Sequence, residues 1–344
     1  MSPVTVKDRA ADIHAAAEEN ALLSVRDLKV QFPVPRPGLF LPPLRLKAVD
    51  GVSFDIGEQE TLAIVGESGS GKSTIGRAIL QLIPPTAGKI IWQGENIAGL
   101  SHRQMRSKRR DLQIVFQDPL ASLDPRMTVG EIIAEPLKTL IPNLKRDEVK
   151  ERVKDMMQKV GLTPQMINRY PHEFSGGQNQ RIGVARAMIV EPKLIVADEP
   201  VSALDVSIQA QIVNLLKKLQ REFGLSMLFI SHDLSVVRHI SHRVLVLYLG
   251  KVMEIAERDE LYERPRHPYT QALLSAAPLP DPEKETGKER IVLEGDIPSP
   301  VNPPSGCVFR TRCFKAQPKC AAEVPGLDPR GATSGRLVAC HFPD

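Results

Sequence analysis

The first 306 residues of this 344-residue chain contain no cysteine, and all four cysteines lie between Cys307 and Cys340. Disulfides therefore cannot stabilise the main body of the protein, which suits a reducing compartment and a core large enough to hold itself. No apolar run approaches the roughly 18 residues that a membrane-spanning helix requires. The N-terminus also lacks the apolar segment of a signal peptide. We expect the chain not to cross a membrane by itself.

An excess of charge of one sign is also missing. The chain has 45 Lys and Arg against 41 Asp and Glu, a net charge of +4. Over 344 residues this surplus is too small to indicate nucleic acid binding. The basic run at 102–110 contains no Phe, Tyr or Trp that could stack on a base, so a solvated surface is the favoured interpretation. We expect no nucleic acid partner.

Short apolar runs alternate with helical patterns along the middle of the chain. The runs at 61–65, 194–198 and 226–230 show no polar alternation, which is typical of strands covered on both faces. Residues 207–223 instead place apolar side chains on one helical face. This alternation predicts an α/β fold with a mainly parallel central sheet. The segment from about 120 to 187 has no convincing strand and predicts an inserted helical subdomain.

A phosphate-binding loop is predicted between the first of these strands and a helix. Residues 66–73 (GESGSGKS) fit the pattern G-x-x-x-x-G-K-[ST], in which glycines let backbone N–H groups point at phosphate oxygens. Lys72 would neutralise the β- and γ-phosphates, and the Ser73 hydroxyl would ligate Mg²⁺. The candidate nucleotide-binding residues of this loop are Gly66, Glu67, Ser68, Gly69, Ser70, Gly71, Lys72, Ser73 and Thr74.

A second candidate element is the acidic pair that ends the apolar strand LIVAD. Asp198 would hold Mg²⁺, and Glu199 would polarise or deprotonate the attacking water. An Asp-Glu pair after a strand is weak evidence by itself. The pair becomes a candidate catalytic element only because a phosphate-binding loop is predicted upstream of it.

Five motifs in a fixed order resemble those of the ATP-binding cassette (ABC) ATPases. The stretch 174–178 (FSGGQ) resembles their signature motif, Gln117 their Q-loop glutamine, Asp205 their D-loop aspartate and His232 their switch histidine. The resemblance implies a P-loop cassette with an N-terminal antiparallel β part, a mainly parallel core and a helical subdomain. It also implies that Glu199, His232 and Gln117 are catalytic, that Ser73, Gln117 and Asp198 hold Mg²⁺, and that ATP is the substrate.

The signature residues have an anion-binding interpretation of their own, because they precede a helix with free N–H groups. The resemblance implies that Ser175, Gly176, Gly177 and Gln178 act in trans on ATP bound to a second cassette. Asn179 departs from the family, where a charged or bulkier residue is commoner, and we expect it on the helix flank.

Adenine stacking in the family uses an aromatic residue upstream of the phosphate-binding loop. Phe32 is the candidate by position, Phe40 is its rival, and a core role for Phe32 is an alternative.

The C-terminal stretches HPYTQALLSAAP and SGCVFRTRCFKAQPKC resemble the ATP-binding subunits of oligopeptide/dipeptide importers. The sequence thus predicts a variable extension at 1–22, a cassette at 23–265 and a C-terminal region at 266–344. The resemblance implies a peripheral position on the cytoplasmic face of a bacterial inner membrane. It also implies a second ATPase subunit, here expected to be a different chain, two transmembrane permease subunits and a solute-binding protein. A non-peptide solute such as nickel or glutathione, and a soluble ATPase acting on DNA or the ribosome, are the alternatives.

Four cysteines in a tail too small for its own core could bind one metal centre. The positions Cys307, Cys313, Cys320 and Cys340 lack the C-x₂-C pairs of common zinc ribbons. Relatives of the importer subunits imply a [4Fe–4S] cluster, with zinc or with free or paired thiols as alternatives. His341 is not expected to be a ligand.

Overall fold

The computed structural model describes residues 21–35, 44–277, 289–329 and 335–344. These residues form two compact units. The first unit consists of the described residues of Met1–Gly57, Leu62–Gly99 and His232–Asp344, and the second of Glu58–Thr61 and Leu100–Ser231. In the part of the chain that the structure describes, no helix is both long and apolar enough to span a membrane.

The elements alternate between strands and helices through the middle of the chain. The strands are β1 (Leu23–Val34), β2 (Leu44–Ile56), β3 (Thr61–Val65), β4 (Ala87–Trp92), β5 (Glu95–Asn96), β6 (Leu112–Val115), β7 (Leu194–Asp198), β8 (Ser226–Ile230), β9 (Arg243–Tyr248), β10 (Lys251–Glu257), β11 (Asp328–Pro329) and β12 (Leu337–Val338). The α-helices are α1 (Lys72–Ile79), α2 (His102–Lys108), α3 (Pro119–Ser122), α4 (Val129–Leu140), α5 (Arg146–Lys159), α6 (Gly176–Met188), α7 (Val206–Phe223), α8 (Leu234–Ile240), α9 (Arg258–Glu263), α10 (Pro268–Ala276) and α11 (Pro318–Ala322).

The first unit begins with an antiparallel sheet in the order β2-β1-β4-β5. Leu23 of β1 pairs with Ile56 of β2 on one side and with Trp92 of β4 on the other. The single tryptophan of the chain, Trp92, is only 1% exposed in this sheet. The predicted N-terminal antiparallel part is therefore confirmed.

A second sheet of the first unit joins the phosphate-loop strand to the C-terminal region. Its strand order is β11-β12-β10-β9-β3, with β3 parallel to β9 and the other neighbours antiparallel. Every residue of β3 is buried, as expected for a strand with both faces covered.

The second unit holds three parallel strands in the order β8-β7-β6. Strands β7 and β8 are buried along their whole length, so the absence of polar alternation in the sequence is explained by cover on both faces. Helix α7 buries Ile212, Leu216 and Leu219, and its C-cap is Gly224, whose left-handed φ of 62° suits a glycine. The α/β fold predicted from the sequence is confirmed.

Between β6 and β7 the chain forms helices and no strand. Helix α4 starts with a capping box in which Thr128 and Glu131 satisfy each other's backbone N–H groups. It buries Val129, Ile132 and Leu137 on one face. This apolar face explains why the segment packs as helices.

A buried ion pair ties the C-terminal strand β12 to β10. Glu254 of β10 is 0% exposed, and its carboxylate accepts a hydrogen bond of 2.7 Å from Arg336, which is 2% exposed. The same carboxylate accepts the backbone N–H groups of Arg266 and His267 at 3.0–3.3 Å, just before α10. One buried charge thus fixes two segments of the C-terminal region.

Replacing this carboxylate should destabilise the first unit. We expect Glu254→Gln to lower the free energy of unfolding by about 3 kcal/mol, because it leaves the buried Arg336 charge without its counter-ion. The measurement is chemical denaturation. The exposed Glu257→Gln on the same strand is the control, with a change within about 0.5 kcal/mol. Equal stabilities of the two variants would contradict this role for Glu254.

Candidate nucleotide-binding site

The phosphate loop lies between β3 and α1 and packs tightly against the backbone of the first unit. Gly71 has a φ of 105°, and a Cβ there would lie 2.2 Å from the carbonyl oxygen of Ala48. A Cβ on Gly66 would lie 2.1 Å from the carbonyl oxygen of Leu247. Only glycine fits these two positions, so the loop's path depends on both.

Lys72 and Ser70 are buried inside this loop. The Lys72 ammonium donates hydrogen bonds to the carbonyl oxygens of Gly66 at 2.8 Å and Glu67 at 3.0 Å. Within the described residues the Ser70 hydroxyl has no hydrogen-bond partner, although the residue is only 3% exposed. A buried, unpartnered hydroxyl in a cationic loop fits a site for phosphate oxygens.

The catalytic candidates of the second unit meet at the end of β7. Asp198 is 1% exposed and is the last residue of the strand. Glu199 follows with a φ of 47°, a strained conformation for a residue that is not glycine. Its carboxylate accepts a hydrogen bond of 3.2 Å from the Gln117 amide. Sequence positions 82 residues apart are thus brought together at one carboxylate.

The signature residues form the start of α6. Ser175 caps the helix by accepting the N–H of Gln178, whose side chain in turn accepts the N–H of Ser175 at 3.0 Å. Ser175 and Gly176 are exposed. The predicted helix N-terminus is present, and its first residues face solvent in this chain.

Asn179, which the sequence analysis expected on the helix flank, lies in α6 and is only 1% exposed. Its amide donates to the carbonyl oxygens of Pro171 at 3.1 Å and Phe174 at 3.3 Å. Those two carbonyls lie in the turn that leads into α6, and the carbonyl oxygen of Pro171 also accepts the N–H of Phe174 at 3.2 Å. Asn179 therefore fixes the entry to the signature.

Two further residues of α6 reach the segment around Gln117. Gln180, 1% exposed, donates to the carbonyl oxygen of Phe116 at 3.5 Å. Arg186 donates to the carbonyl oxygen of Ser122 at 2.6 Å and lies over the Phe116 ring. Burial lowers the pKa of Arg186. Sequence analysis missed both contacts, since no local pattern links these segments.

The D-loop aspartate begins α7. Asp205 is exposed and makes no side-chain cap with that helix. A Cβ on Gly176 would meet Leu204 at 3.5 Å, and one on Gly177 would lie 2.6 Å from Ile208. The glycines of the signature therefore allow α6 and the start of α7 to approach closely.

The remaining candidates lie on the first unit. Phe32, on β1 opposite Leu46, is 37% exposed, so a core role for it is wrong. Phe40 lies outside the described residues. His232 is exposed and directly precedes Asp233, whose carboxylate caps α8.

The four cysteines of the tail are neighbours. Burial raises the pKa of Cys307 to about 11 and also raises the pKa values of Cys313 and Cys340, and each of these thiols interacts electrostatically with Cys320. Among the described residues, however, no three His, Cys, Asp or Glu side chains form a group that could hold a metal ion. The described residues therefore contain no preformed site for the expected iron–sulfur cluster.

Two family models match the chain. The model described as ABC transporter matches residues 49–202, and the model described as Oligopeptide/dipeptide transporter, C-terminal region, matches residues 253–320. The second match includes three of the four cysteines, Cys307, Cys313 and Cys320.

Similar proteins extend these matches over most of the chain. The oligopeptide transport ATP-binding protein OppF of Salmonella typhimurium is 60% identical over 313 residues, which is 90% of this chain and 94% of that protein. The oligopeptide transport ATP-binding protein AppF of Bacillus subtilis is 54% identical over 95% of this chain and 99% of that protein.

A solved structure matches the cassette. The dimeric, post-hydrolysis ATP-binding cassette MJ0796 bound to ADP and Pi is 29% identical, with a TM-score of 0.62 over 69% of this chain and 98% of that chain. Together with the relatives, this match shows that the chain belongs to the ABC transporter family, among its oligopeptide-type ATP-binding proteins.

Proposed function

We propose that this chain is the ATP-hydrolysing, energy-coupling subunit of a bacterial inner-membrane importer for di- or oligopeptides. The similarity to OppF and AppF, both oligopeptide transport ATP-binding proteins, supports the substrate class. The observation that carries the ATPase assignment is the hydrogen bond between Gln117 and Glu199 at the end of β7. It joins the two side chains that the chemistry needs for positioning and polarising a water molecule.

We assign the phosphates of ATP to residues 66–74. Lys72 would neutralise the β- and γ-phosphates, and Ser73, Gln117 and Asp198 would hold Mg²⁺. The metal would supply stabilisation of the negative charge that develops on the phosphoryl oxygens.

We assign the remaining catalytic roles from the family resemblance, and the exposure of His232 supports its assignment. Glu199 polarises or deprotonates the attacking water molecule, and His232 contacts the γ-phosphate. Phe32 is assigned to adenine stacking, which its exposed ring permits.

The signature and D-loop are assigned to a second cassette. Ser175, Gly176, Gly177 and Gln178 bind ATP held by a partner subunit, and Asp205 contacts that partner. Support comes from the exposure of Ser175 and Gly176 and from Val206 beside the D-loop, which is 81% exposed. An apolar side chain exposed to this extent is suited to burial in a dimer. The similar cassette MJ0796 is dimeric.

The other assignments concern the assembly. The cassette is assigned to residues 23–265, the helical subdomain at about 120–187 to permease contact, and 266–344 to the importer-type C-terminal region. The partners are two transmembrane permease subunits, a second and different ATPase chain, and a solute-binding protein. The chain is peripheral on the cytoplasmic face of the inner membrane.

We also propose that the four thiols hold a [4Fe–4S] cluster, with zinc as the alternative. Phe309, Lys315 and Phe342 direct backbone N–H groups at the sulfurs of Cys307, Cys313 and Cys340, respectively. Such donors stabilise thiolates and therefore favour metal ligation.

Removing the proposed catalytic carboxylate should separate binding from hydrolysis. We expect Glu199→Gln to lower ATP hydrolysis in the assembled transporter at least about 100-fold, because it removes the group that activates water. ATP binding should persist, and uptake of labelled peptide should be lost.

The control is Glu191→Gln, an exposed carboxylate before the opposite end of β7, which should keep full activity. Peptide uptake by the Glu199→Gln transporter would overturn the proposal.

The metal proposal is checked by assaying iron, zinc and acid-labile sulfide on protein purified without oxygen. We expect iron and sulfide near four per chain, lost on Cys313→Ser and retained in His341→Ala, whose ring contacts the Glu323 carbonyl at 3.0 Å. Stoichiometric zinc without sulfide would replace the cluster with a structural metal. No metal in the native protein would contradict both.

A further inference from the structure

The C-terminal tail makes a direct ionic contact with the phosphate loop. The Arg312 guanidinium donates two hydrogen bonds to the Glu67 carboxylate, at 2.6 Å from Nη1 to Oε2 and at 3.1 Å from Nη2 to Oε1. The Arg312 side chain is 9% exposed and that of Glu67 is 25% exposed. A bidentate, largely shielded pair of this kind is stronger and more directional than a surface ion pair.

Glu67 is held at its other polar groups as well. Its backbone N–H donates to the Tyr269 hydroxyl at 3.0 Å, and its carbonyl oxygen accepts from the Lys72 ammonium at 3.0 Å. Glu67 therefore forms hydrogen bonds with the tail through Arg312, with α10 through Tyr269, and with the phosphate-binding lysine, Lys72. Arg312 and Lys72 are connected through a single residue.

Aromatic packing keeps Arg312 and Tyr269 in place. Phe309 and Tyr269 are fully buried, with ring centroids 5.1 Å apart, and Phe309 lies edge-on to Tyr248 at 5.3 Å. The Arg312 N–H donates to the carbonyl oxygen of Phe309 at 3.0 Å, and its guanidinium lies 6.0 Å from the Tyr248 ring centroid. The arginine is thus preorganised on a rigid base.

The N-terminus of α10 is fixed by a buried histidine. His267 is 1% exposed, and its Nδ1 accepts the N–H of Tyr269 at 3.0 Å. Burial lowers the pKa of His267 to about 3, so the ring is neutral at physiological pH and can act as this acceptor. Tyr269 therefore reaches Glu67 from a fixed helix start.

A carboxylate in a loop that binds a polyanion needs compensation. An uncompensated Glu67 would repel the phosphates of ATP and would also leave the start of the loop without its side-chain anchor. Arg312 neutralises the Glu67 carboxylate, which reduces repulsion of the phosphates, and it fixes the orientation of that carboxylate, which anchors the start of the loop.

We propose that Arg312 is a positioning residue of the nucleotide site, which acts through Glu67 and makes the C-terminal tail part of the ATP-binding machinery. This inference rests on the proposed assignment of residues 66–74 to the nucleotide phosphates.

The central test is a double-variant cycle on the full-length chain. ATP is titrated without Mg²⁺, so that it is not hydrolysed, and the Kd is measured by calorimetry. We expect Arg312→Gln to raise the Kd of the parent chain about ten-fold. In the Glu67→Gln background, Arg312→Gln should add little, because its effect passes through that carboxylate. Additive effects would overturn the proposal.

Steady-state kinetics of the assembled transporter separates positioning from general damage. Arg312→Gln should raise KM for ATP about ten-fold and change kcat less than about two-fold. Arg312→Lys keeps the charge but loses the bidentate contact, so its KM should fall between those of the parent and Arg312→Gln. A loss of kcat with KM unchanged would overturn the proposal.

Arg310→Gln is the matched control. Arg310 is two residues away in the same turn, but its guanidinium binds Ser305 and not the loop. It should leave Kd and KM unchanged. If both variants changed Kd and KM equally, the Arg312 contact would matter only for folding of the tail, and the inference would be overturned.

Lys72→Ala distinguishes failure of the inference from failure of the proposed site. It should weaken ATP binding more than ten-fold if residues 66–74 hold the phosphates. Weak binding by Lys72→Ala with normal binding by Arg312→Gln would refute only the inference. Normal binding by Lys72→Ala would refute the assigned site itself and the inference with it.

Discussion

Close approach between the phosphate loop and neighbouring backbone is the constraint on which the first unit depends. The carbonyl oxygens of Ala48 on β2 and Leu247 on β9 lie where the Cβ atoms of Gly71 and Gly66 would be. The loop can therefore lie against strands from both sheets of the unit only because glycines occupy these two positions. A local eight-residue motif is thus packed against two segments that lie almost two hundred residues apart in the sequence.

In the second unit, polar side chains are placed at the ends of buried parallel strands. Asp198 is buried at the end of β7, and Glu199 follows in a strained left-handed conformation. The strain is stabilised by its surroundings, since the Glu199 N–H donates to Ile230 on β8 and its carboxylate accepts from Gln117. Side chains of α6 hold the segment that carries Gln117. The helix that starts at the signature thus also supports the Q-loop glutamine.

The fold class and the local motifs could be predicted from the sequence, because both depend on the order of residues within short segments. The buried strands β3, β7 and β8 appear as unbroken apolar runs, and the phosphate loop appears as spaced glycines before a lysine. The burial of Asn179 was not predictable, because it depends on carbonyls of a turn that only the folded chain presents. The contacts of Arg312 with Glu67 and of Tyr269 with Glu67 join positions more than two hundred residues apart. No periodicity records such pairings, and an arginine next to a cysteine gave no signal of its own.

The position of Trp92 has a practical consequence for spectroscopy. It is the single tryptophan of the chain, and it is buried in the antiparallel sheet of the first unit beside Leu23. Its intrinsic fluorescence therefore reports the environment of that sheet alone, while far-ultraviolet circular dichroism records helices of both units. Comparison of the two signals during denaturation reveals whether the units unfold together or in separate transitions.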